Sequence, residues 1–410
     1  MPSVVEAKSP EARRGPRPLS THLLAAALTY ASSNAALPLL KSGSPNWKTA
    51  LGEWFSQVAE VDTLELTTAV EYESRRRLAA FLKGVKAYRN HPYRRTLPEP
   101  VVATRDGSSR LFEFSASGAD DGPAILVVPS LVNRAYVLDL AEGQSFMRWL
   151  SANGVDGFLV DWGRPDDAER GFDLTNYIAD RLERFFNLVY ERSRKPVFVL
   201  GYCMGGNFAL ALTQRRQREV AGLALLATPW DFHATDKSAA LALAATLRTF
   251  EPQLHVLGEL PTDILQLLFC LLDPLLGYHK FRQFAFLDPN SEPARRFVAL
   301  EDWLNDGVPL PASVARECLY GWYGENQPAT GTWRIADEVV DPGRVDVPAL
   351  VIVPQRDRIV PPESARVIAD ALPNCQLQEP NVGHIGLIAG SRAAAEVWSP
   401  VLAWIRTNDP

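Results

Sequence analysis

Short runs of consecutive apolar residues alternate with longer amphipathic stretches from about residue 100 onwards. Such runs are typical of strands buried on both faces, and the stretches between them, such as 174–190, have the spacing of amphipathic helices. The alternation predicts an α/β fold, a mostly parallel sheet with helices on both sides. The predicted strands are 124–128, 155–160, 197–200, 222–226 and 349–353.

The residues before this region have a different pattern. Residues 1–18 are rich in Pro, Arg and Glu and are predicted to be disordered, whereas 19–99 carry apolar residues at helical spacing, for example along 47–58 and 70–88. The apolar run 23–40 is interrupted by polar residues and a proline, so we interpret it as a packed or interfacial helix rather than a membrane span. The α/β domain is predicted to cover 100–410.

One long stretch inside the α/β domain lacks a convincing central strand. It lies between the tetrapeptide 229–232 and Val347, and it contains apolar segments such as 264–269 and 281–286. We predict that about 233–335 form a helical cap inserted before the last strands. Such a cap would cover the carboxyl ends of the strands, where sheets of this kind bind ligands.

Composition narrows the class of protein. The 410 residues are 47% hydrophobic and 22% charged with a net charge of −6, which is an ordinary globular balance with no electrostatic basis for binding nucleic acid or anionic lipid. The four cysteines are far apart and form no CxxC pair, which argues against a disulfide framework and a structural zinc site. We expect a reduced, cytoplasmic setting, with no metal and no cofactor.

The hexapeptide Gly201-Tyr-Cys-Met-Gly-Gly206 carries the strongest chemical signal. It follows the predicted strand 197–200 and precedes the helical stretch 207–214. A strand, a Gly-x-nucleophile-x-Gly turn and a helix form the nucleophile elbow of α/β-hydrolases, here with Cys203 at the nucleophile position. We interpret the other three cysteines as small buried hydrophobic residues: Cys270, Cys318 and Cys375.

An elbow nucleophile needs a base and a carboxylate that orients it, in the chain order nucleophile, acid, histidine. Asp357 lies just past the predicted strand 349–353, and His384 follows in a glycine-flanked loop. The order Cys203, Asp357, His384 therefore predicts a catalytic triad. Two alternatives stay open: Asp357 could cap a helix that starts near Pro361, and Asp231 also follows a strand, although we interpret Asp231 as structural or as a pocket residue.

An oxyanion hole should combine two backbone N–H groups. One is expected from Met204, directly after the nucleophile, and the other from the loop after strand 124–128. In that loop Val132 is the preferred donor and Leu131 the alternative, and an ordinary strand-to-helix turn is a further possibility.

The sulfur atom indicates the type of reaction. A thiolate that attacks a thioester forms a second thioester at little free-energy cost, so the acyl group stays activated and can pass to a hydroxyl. A serine would form an oxygen ester, which has lost that activation. A cysteine elbow therefore suits acyl transfer from a CoA thioester to an alcohol, and it equally permits hydrolysis where water enters. A large apolar cap favours transfer because it would exclude water.

The chain resembles the polyhydroxyalkanoate (poly(3-hydroxybutyrate)) synthase family over about 111–405. The elbow is similar to that family's cysteine-bearing box, and further segments match it in order along the chain: 129–140, 160–163, 228–232, 357–361 and 383–386. Within the family the chain looks closest to the short catalytic subunits of the class III/IV type, which work with an accessory subunit. This likeness rests on segments 276–281, 300–303 and 383–387. Two features depart from the pattern: Arg358 replaces a histidine, and the N-terminal helical region is longer.

The resemblance implies an α/β-hydrolase fold and polymerisation of (R)-3-hydroxyacyl-CoA into polyester with release of CoA. Cys203 would carry the acyl group or the growing chain, His384 would activate the thiol and the incoming 3-hydroxyl, and Asp357 would orient His384. A homodimer, an accessory synthase subunit and the surface of polymer granules are the partners that it implies, and the longer N-terminal region puts the accessory subunit in question.

Two other classes of function remain open at the level of sequence. One is a cysteine hydrolase on the same fold, either an intracellular polyester depolymerase or an acyl-CoA thioesterase, because a shared fold and triad do not fix the fate of the acyl-enzyme. The other is a granule-associated binding protein, against which the intact triad argues.

Overall fold

The computed structural model of the chain describes residues 13–38, 57, 60–115 and 122–410. It has two compact units: a helical unit, Met1–Arg94 with Cys270–Asn305, and a sheet unit, Arg95–Phe269 with Asp306–Pro410. The boundaries predicted from the sequence differ from this division, because residues 270–305 of the predicted cap group with the N-terminal residues.

In the part of the chain that the structure describes, eight strands form the main sheet of the sheet unit. Their order across the sheet is β1-β2-β4-β3-β5-β6-β7-β8. The pairs β1–β2 and β2–β4 are antiparallel, and every other pair is parallel. The strands are β1 (Val101–Asp106), β2 (Ser109–Phe114), β3 (Ala124–Val128), β4 (Asp156–Asp161), β5 (Val197–Tyr202), β6 (Val220–Leu226), β7 (Ala349–Ile352) and β8 (Cys375–Gln378).

The five apolar runs of the sequence correspond to the central strands β3 to β7, each within two residues of its predicted ends. Every residue of β3, β5 and β7 is buried, as expected for strands covered on both faces. The sequence did not predict β1, β2 and β8. The edge strands β1 and β8 are largely exposed or half-buried, so they lack a continuous apolar run.

Helices cover the sheet and form the inserted region. Within 233–335 the described strands of the sheet unit are only two residues long: Glu259–Leu260 pairs with Leu310–Pro311, and Arg334–Ile335 pairs with Glu338–Val339 just beyond this range. This agrees with the predicted lack of a central strand. A further short ladder joins Asp139–Ala141 and Gln144–Ser145. The α-helices that begin in this unit are Phe146–Ala152, Glu183–Ser193, Met204–Arg215, Lys237–Thr249, Glu251–Leu257, Thr262–Leu272, Ala312–Arg316, Pro362–Ala371, Gly386–Ala389 and Ser399–Asn408.

Several helical segments of the sheet unit have wider or tighter turns. The π-helical segments are Asn176–Leu182, Glu317–Gly324 and Ala394–Trp398, and the 3-10 segments are Ala135–Leu138, Glu169–Gly171 and Pro342–Arg344. The first π-helical segment continues directly into Glu183–Ser193, so the predicted helix 174–190 is one irregular helical element.

The helical unit has its own apolar core. Its helices are Leu19–Ala35, Thr63–Arg89, Leu276–Phe284 and Glu292–Asn305. The rings of Phe81, Tyr278 and Phe281 pack together in this core, and a Cβ at Gly84 would overlap the carbonyl of Phe281. This packing explains why 270–305 group with the N-terminal residues.

Parts of the N-terminal predictions lie outside the described residues. Residues 1–12 of the predicted disordered segment are not among the described residues, and neither is most of the helical pattern 47–58. Within the segment 13–18, Arg13 forms an ion pair with Asp302 at 2.6 Å. Among the described residues no single helix is long and apolar enough to cross a membrane. Thr262–Leu272 and Leu276–Phe284, taken together as one bent pair, have the length and composition of a membrane span.

Candidate active site

Cys203 lies in a sharp turn between β5 and the elbow helix (Met204–Arg215). Its φ and ψ are 55° and −130°, and a positive φ at a non-glycine residue is strained by about 1–3 kcal/mol. The backbone N–H of Cys203 donates to the carbonyl of Leu226 at 2.9 Å, which fixes the turn to the end of β6. The turn therefore presents the sulfur at the carboxyl end of the sheet, beside the N-terminus of a helix that favours negative charge.

Two glycines make this turn possible. A Cβ at Gly205 would overlap the carbonyl of Val128 at the end of β3, and a Cβ at Gly206 would overlap the side chain of Thr228. The elbow helix can therefore approach β3 and the loop after β6 only because these positions lack side chains. The sequence motif thus has a steric cause in this structure.

His384 and Asp357 meet in a buried hydrogen bond. Nδ1 of His384 lies 2.6 Å from Oδ2 of Asp357, and the two side chains are 8% and 0% exposed. The other carboxylate oxygen of Asp357 accepts the backbone N–H groups of Ile359 and Val360 at 2.8 and 2.9 Å. The carboxylate is thus held by its own turn and directed at the imidazole.

The charge of Cys203 and the carboxylate of Asp357 determine the protonation of His384. Burial lowers the pKa of His384, but the negative charge of Cys203 and the hydrogen bonds to Asp357 and Cys203 outweigh it and raise the pKa to about 10. The 2.6 Å hydrogen bond to Asp357 therefore favours the protonated imidazole.

The structure joins Asp357 and His384 directly, and the assignment of Cys203, Asp357 and His384 as a catalytic triad stays a prediction. Asp231 does not contact His384. Its Oδ1 instead accepts the N–H of His233 at 2.8 Å and the amide of Asn326 at 2.9 Å, so the structural interpretation fits it. Asp357 forms no side-chain cap on helix Pro362–Ala371, although it does stabilise the turn before it.

The two predicted oxyanion donors have different surroundings. Met204 is the first residue of the elbow helix, where backbone N–H groups have no partner inside the helix. The N–H of Val132 donates to Oγ of Ser130 at 3.2 Å, so it would have to leave or share this bond to bind an oxyanion. Trp162 Nε1 donates to the carbonyl of Pro129 at 2.9 Å and fixes the start of the loop. The choice between Val132 and Leu131 stays a prediction.

Of the other cysteines Cys318 is buried, whereas Cys270 and Cys375 are half-buried and Cys270 Sγ lies 3.7 Å from Nε2 of His22. Burial raises the pKa of the Cys318 thiol well above its usual value and that of Cys375 to about 11, and it also raises the pKa of Cys270. A thiol with a raised pKa carries little thiolate and reacts slowly. The interpretation as a small buried hydrophobic residue therefore fits Cys318, whereas Cys270 and Cys375 are only half-buried.

Sequence reasoning missed Tyr202, which is buried beside the histidine. Its hydroxyl donates to the carbonyl of His384 at 3.1 Å, and the two rings lie 5.2 Å apart. Burial, followed by the charges of Cys203 and Asp357, raises the pKa of Tyr202 well above its usual value, so it stays neutral. Its place inside the Gly-x-Cys-x-Gly motif was the signal available in the sequence.

The fold and the elbow define the class of this protein. The model of the α/β hydrolase fold family matches residues 123–391, and the chain belongs to this family. A soluble variant of monoglyceride lipase from Saccharomyces cerevisiae, solved with a substrate analog, has the same fold, with a TM-score of 0.51 at 16% identity over 78% of this chain and 98% of that chain.

The sequence of this chain is similar to those of poly(3-hydroxyalkanoate) polymerase subunits PhaC. The one from Synechocystis is 29% identical over 68% of this chain and 77% of its own length. The one from Allochromatium vinosum is 29% identical over 68% and 80%, and the one from Haloarcula marismortui is 30% identical over 73% and 64%. The chain therefore spans less than two thirds of the Haloarcula relative.

Proposed function

We propose that this protein is a polyhydroxyalkanoate synthase, which polymerises (R)-3-hydroxyacyl-CoA through an acyl-enzyme on Cys203. The observation that carries the proposal is the sulfur nucleophile at the elbow, in a chain similar to polymerase subunits. A hydrolase of this fold can use an oxygen nucleophile, whereas continued acyl transfer requires an intermediate that stays activated. The enzyme is thus an acyltransferase.

In the first half of the reaction the Cys203 thiolate attacks the thioester carbonyl of the substrate. A bond forms between Sγ and the carbonyl carbon, the bond from that carbon to the CoA sulfur breaks, and the imidazolium of His384 gives its proton to the leaving thiolate. Backbone N–H groups, of which Met204 and Val132 are the candidates, stabilise the oxyanion that develops on the carbonyl oxygen.

In the second half the 3-hydroxyl of another unit attacks the acyl-enzyme. His384, now neutral, removes the hydroxyl proton, the new ester bond forms, and the Cys203 sulfur leaves as a thiolate. Asp357 keeps Nδ1 of His384 protonated through the 2.6 Å hydrogen bond, so that Nε2 faces the reacting groups. The imidazole is thereby an acid in the first half and a base in the second.

The partners and location follow from this activity and are part of the proposal. The relatives are named as subunits, which supports an accessory synthase subunit for this chain as well. A homodimer, and a cytoplasmic location on the surface of the growing polyester granule, complete the proposal. No cofactor is required, because the thioester itself supplies the activated acyl group.

The test uses (R)-3-hydroxybutyryl-CoA, with loss of the thioester absorbance and the product followed in parallel. We expect release of CoA with formation of polymer, and no turnover in the Cys203→Ala variant. Cys375→Ala is the matched control, since Cys375 is a half-buried thiol on β8 and should not affect turnover. Free 3-hydroxybutyrate without polymer would refute synthesis in favour of a hydrolase, and turnover by Cys203→Ala would refute the mechanism.

A further inference from the structure

Polar contacts join the loop after β6 to the end of the helical segment Glu317–Gly324. Asn326 donates from Nδ2 to Oδ1 of Asp231 at 2.9 Å, and its own Oδ1 accepts the backbone N–H of Phe232 at 2.9 Å. Nε2 of His233 lies 2.9 Å from the carbonyl oxygen of Tyr323. We refer to Asp231, His233 and Asn326 as the clamp.

The clamp depends on an unusual backbone at Asn326. This residue is buried with a φ of 55°, a conformation that asparagine tolerates better than most residues. Both polar atoms of its side chain form hydrogen bonds, Nδ2 with Asp231 and Oδ1 with Phe232. A backbone N–H of Asp231 also donates to the carbonyl of Ser364 at 3.2 Å, which ties the loop to helix Pro362–Ala371.

The clamp fixes two aromatic rings against each other. Phe232 and Tyr323 meet edge to face with ring centroids 4.8 Å apart, and Phe232 also packs against Trp322 at 5.6 Å. The hydrogen bonds from the clamp to Phe232 and Tyr323 use backbone atoms, and both side chains are half-buried against the apolar core. We refer to these two rings as the aromatic wall.

The loop that carries the aromatic wall is tied to the turn of the nucleophile. The loop that carries Phe232 starts at Leu226, whose carbonyl accepts the N–H of Cys203, and it passes Thr228, which touches the elbow helix at Gly206. Cys203, Phe232 and Tyr323 all pack against the same apolar core. Burial and, after it, the negative charge of Cys203 raise the pKa of Tyr323, which agrees with this proximity.

We infer that the acyl group bound to Cys203 lies in a pocket that the aromatic wall lines, that the clamp is a positioning device for this wall, and that Tyr323 limits the length of the acyl group. The inference rests on the proposed function for the identity of the acyl group. Tyr323 is a specificity-determining residue in this account, whereas Asp231 and Asn326 act through it. A 3-hydroxyacyl chain longer than the pocket would meet the Tyr323 ring.

The experiment compares substrates of different length. For Tyr323→Ala we expect the ratio of kcat/KM for (R)-3-hydroxyoctanoyl-CoA to that for (R)-3-hydroxybutyryl-CoA to rise at least about tenfold, since pocket contacts of a few methylene groups discriminate by that much. Asn326→Ala should move the ratio in the same direction, while Asp231→Asn, which keeps an accepting Oδ1, should stay near wild type. Tyr320→Ala is the control on the same helical segment, because its hydroxyl bonds Glu251 at 3.1 Å instead.

A second measurement separates this inference from the proposed function. Alkylation of Cys203 by N-ethyl and N-octyl iodoacetamide needs no polymerase activity and reports access along the pocket directly. A faster reaction of the octyl reagent in Tyr323→Ala or in Tyr323→Leu would support the wall even if the protein released no CoA. An unchanged ratio of octyl to ethyl rates, in variants whose near-ultraviolet circular dichroism matches wild type, would overturn it.

Discussion

Replacement of Asp357 by asparagine would remove the charge beside His384 and keep the shape of the turn. Oδ1 of Asp357 accepts the N–H groups of Ile359 and Val360, and an asparagine Oδ1 can accept both. The loss is confined to Oδ2, which accepts from Nδ1 of His384 at 2.6 Å. An amide NH₂ at this place is a donor that faces another donor, so the histidine loses both its counter-charge and the bond that sets its tautomer.

The size of the effect follows from that buried bond. A hydrogen bond to a charged group contributes about 1.5–3 kcal/mol, and 1.36 kcal/mol corresponds to one pKa unit or a tenfold change in rate. We therefore expect the pKa of His384 to fall by about one to two units from its value of about 10. The specificity constant kcat/KM should fall by about 10- to 150-fold.

The assay is the pH dependence of kcat/KM for (R)-3-hydroxybutyryl-CoA. Because the pKa of His384 is raised, its protonated form is present at low pH and is lost as the pH rises through that pKa. The alkaline limb of the pH profile should therefore move to lower pH in Asp357→Asn. Because Cys203 and His384 interact, the apparent pKa of this limb belongs to the pair. An unchanged limb with an unchanged rate would refute the reasoning and leave Asp357 as a turn residue.

The control for this prediction is Asp341→Asn. Oδ1 of Asp341 accepts the N–H of Gly343 at 2.9 Å, two residues on, as Oδ1 of Asp357 does with Ile359, but the described contacts of Asp341 include no histidine. We expect this variant to keep the alkaline limb of wild type. A shift in both variants would show that the profile reports stability rather than the charge beside His384.

Three further predictions test the nucleophile, the elbow and the helical unit. Cys203→Ser should release CoA slowly and form no polymer, because its oxygen ester is not activated; polymer formed at a rate close to that of wild type would refute the argument from sulfur. Gly206→Ala should lower the free energy of unfolding by about 1–3 kcal/mol because its Cβ would overlap Thr228, whereas Gly171→Ala, with no atom near its Cβ, should change it little in urea unfolding. Burial and then the charge of Lys280 lower the pKa of His22 to about 4. As the pH falls below about 6.5, His22 therefore takes up a proton in the unfolded chain but not yet in the folded one, which lowers stability. Wild type should lose about 2 kcal/mol more stability than His22→Gln between pH 7 and pH 5, and equal losses in thermal unfolding would refute the shift.

The elbow and the triad order could be predicted because their causes are local in the sequence. Gly205 and Gly206 are needed where the helix meets β3 and Thr228, so the motif itself records the steric condition. Asp357 and His384 each follow a recognisable strand or a glycine-flanked loop. The choice between Asp357 and Asp231 needed the structure, since both follow a strand and only the fold determines which carboxylate reaches His384.

Other features could not be predicted because they depend on contacts between distant residues. The bond from Asn326 to Asp231 joins residues 95 positions apart, and neither residue type marks it. The N–H of Val132 donates to Oγ of Ser130, and this bond depends on the backbone conformation of the loop. The edge strand β8 has the sequence Cys-Gln-Leu-Gln, which is too polar and too short to stand out.

The charge of the Cys203 sulfur couples the two halves of the proposed reaction. In the proposed mechanism a negative charge on this sulfur raises the pKa of His384, which favours the protonated imidazole that the leaving CoA needs. Acylation converts the thiolate into a neutral thioester, which removes that cause while burial still lowers the pKa. The histidine then loses its proton more easily and can serve as the base for the incoming hydroxyl. This coupling would act on water as well as on a 3-hydroxyl, so His384 does not decide between polymer and free acid, and synthesis requires that water be kept from the acyl-enzyme.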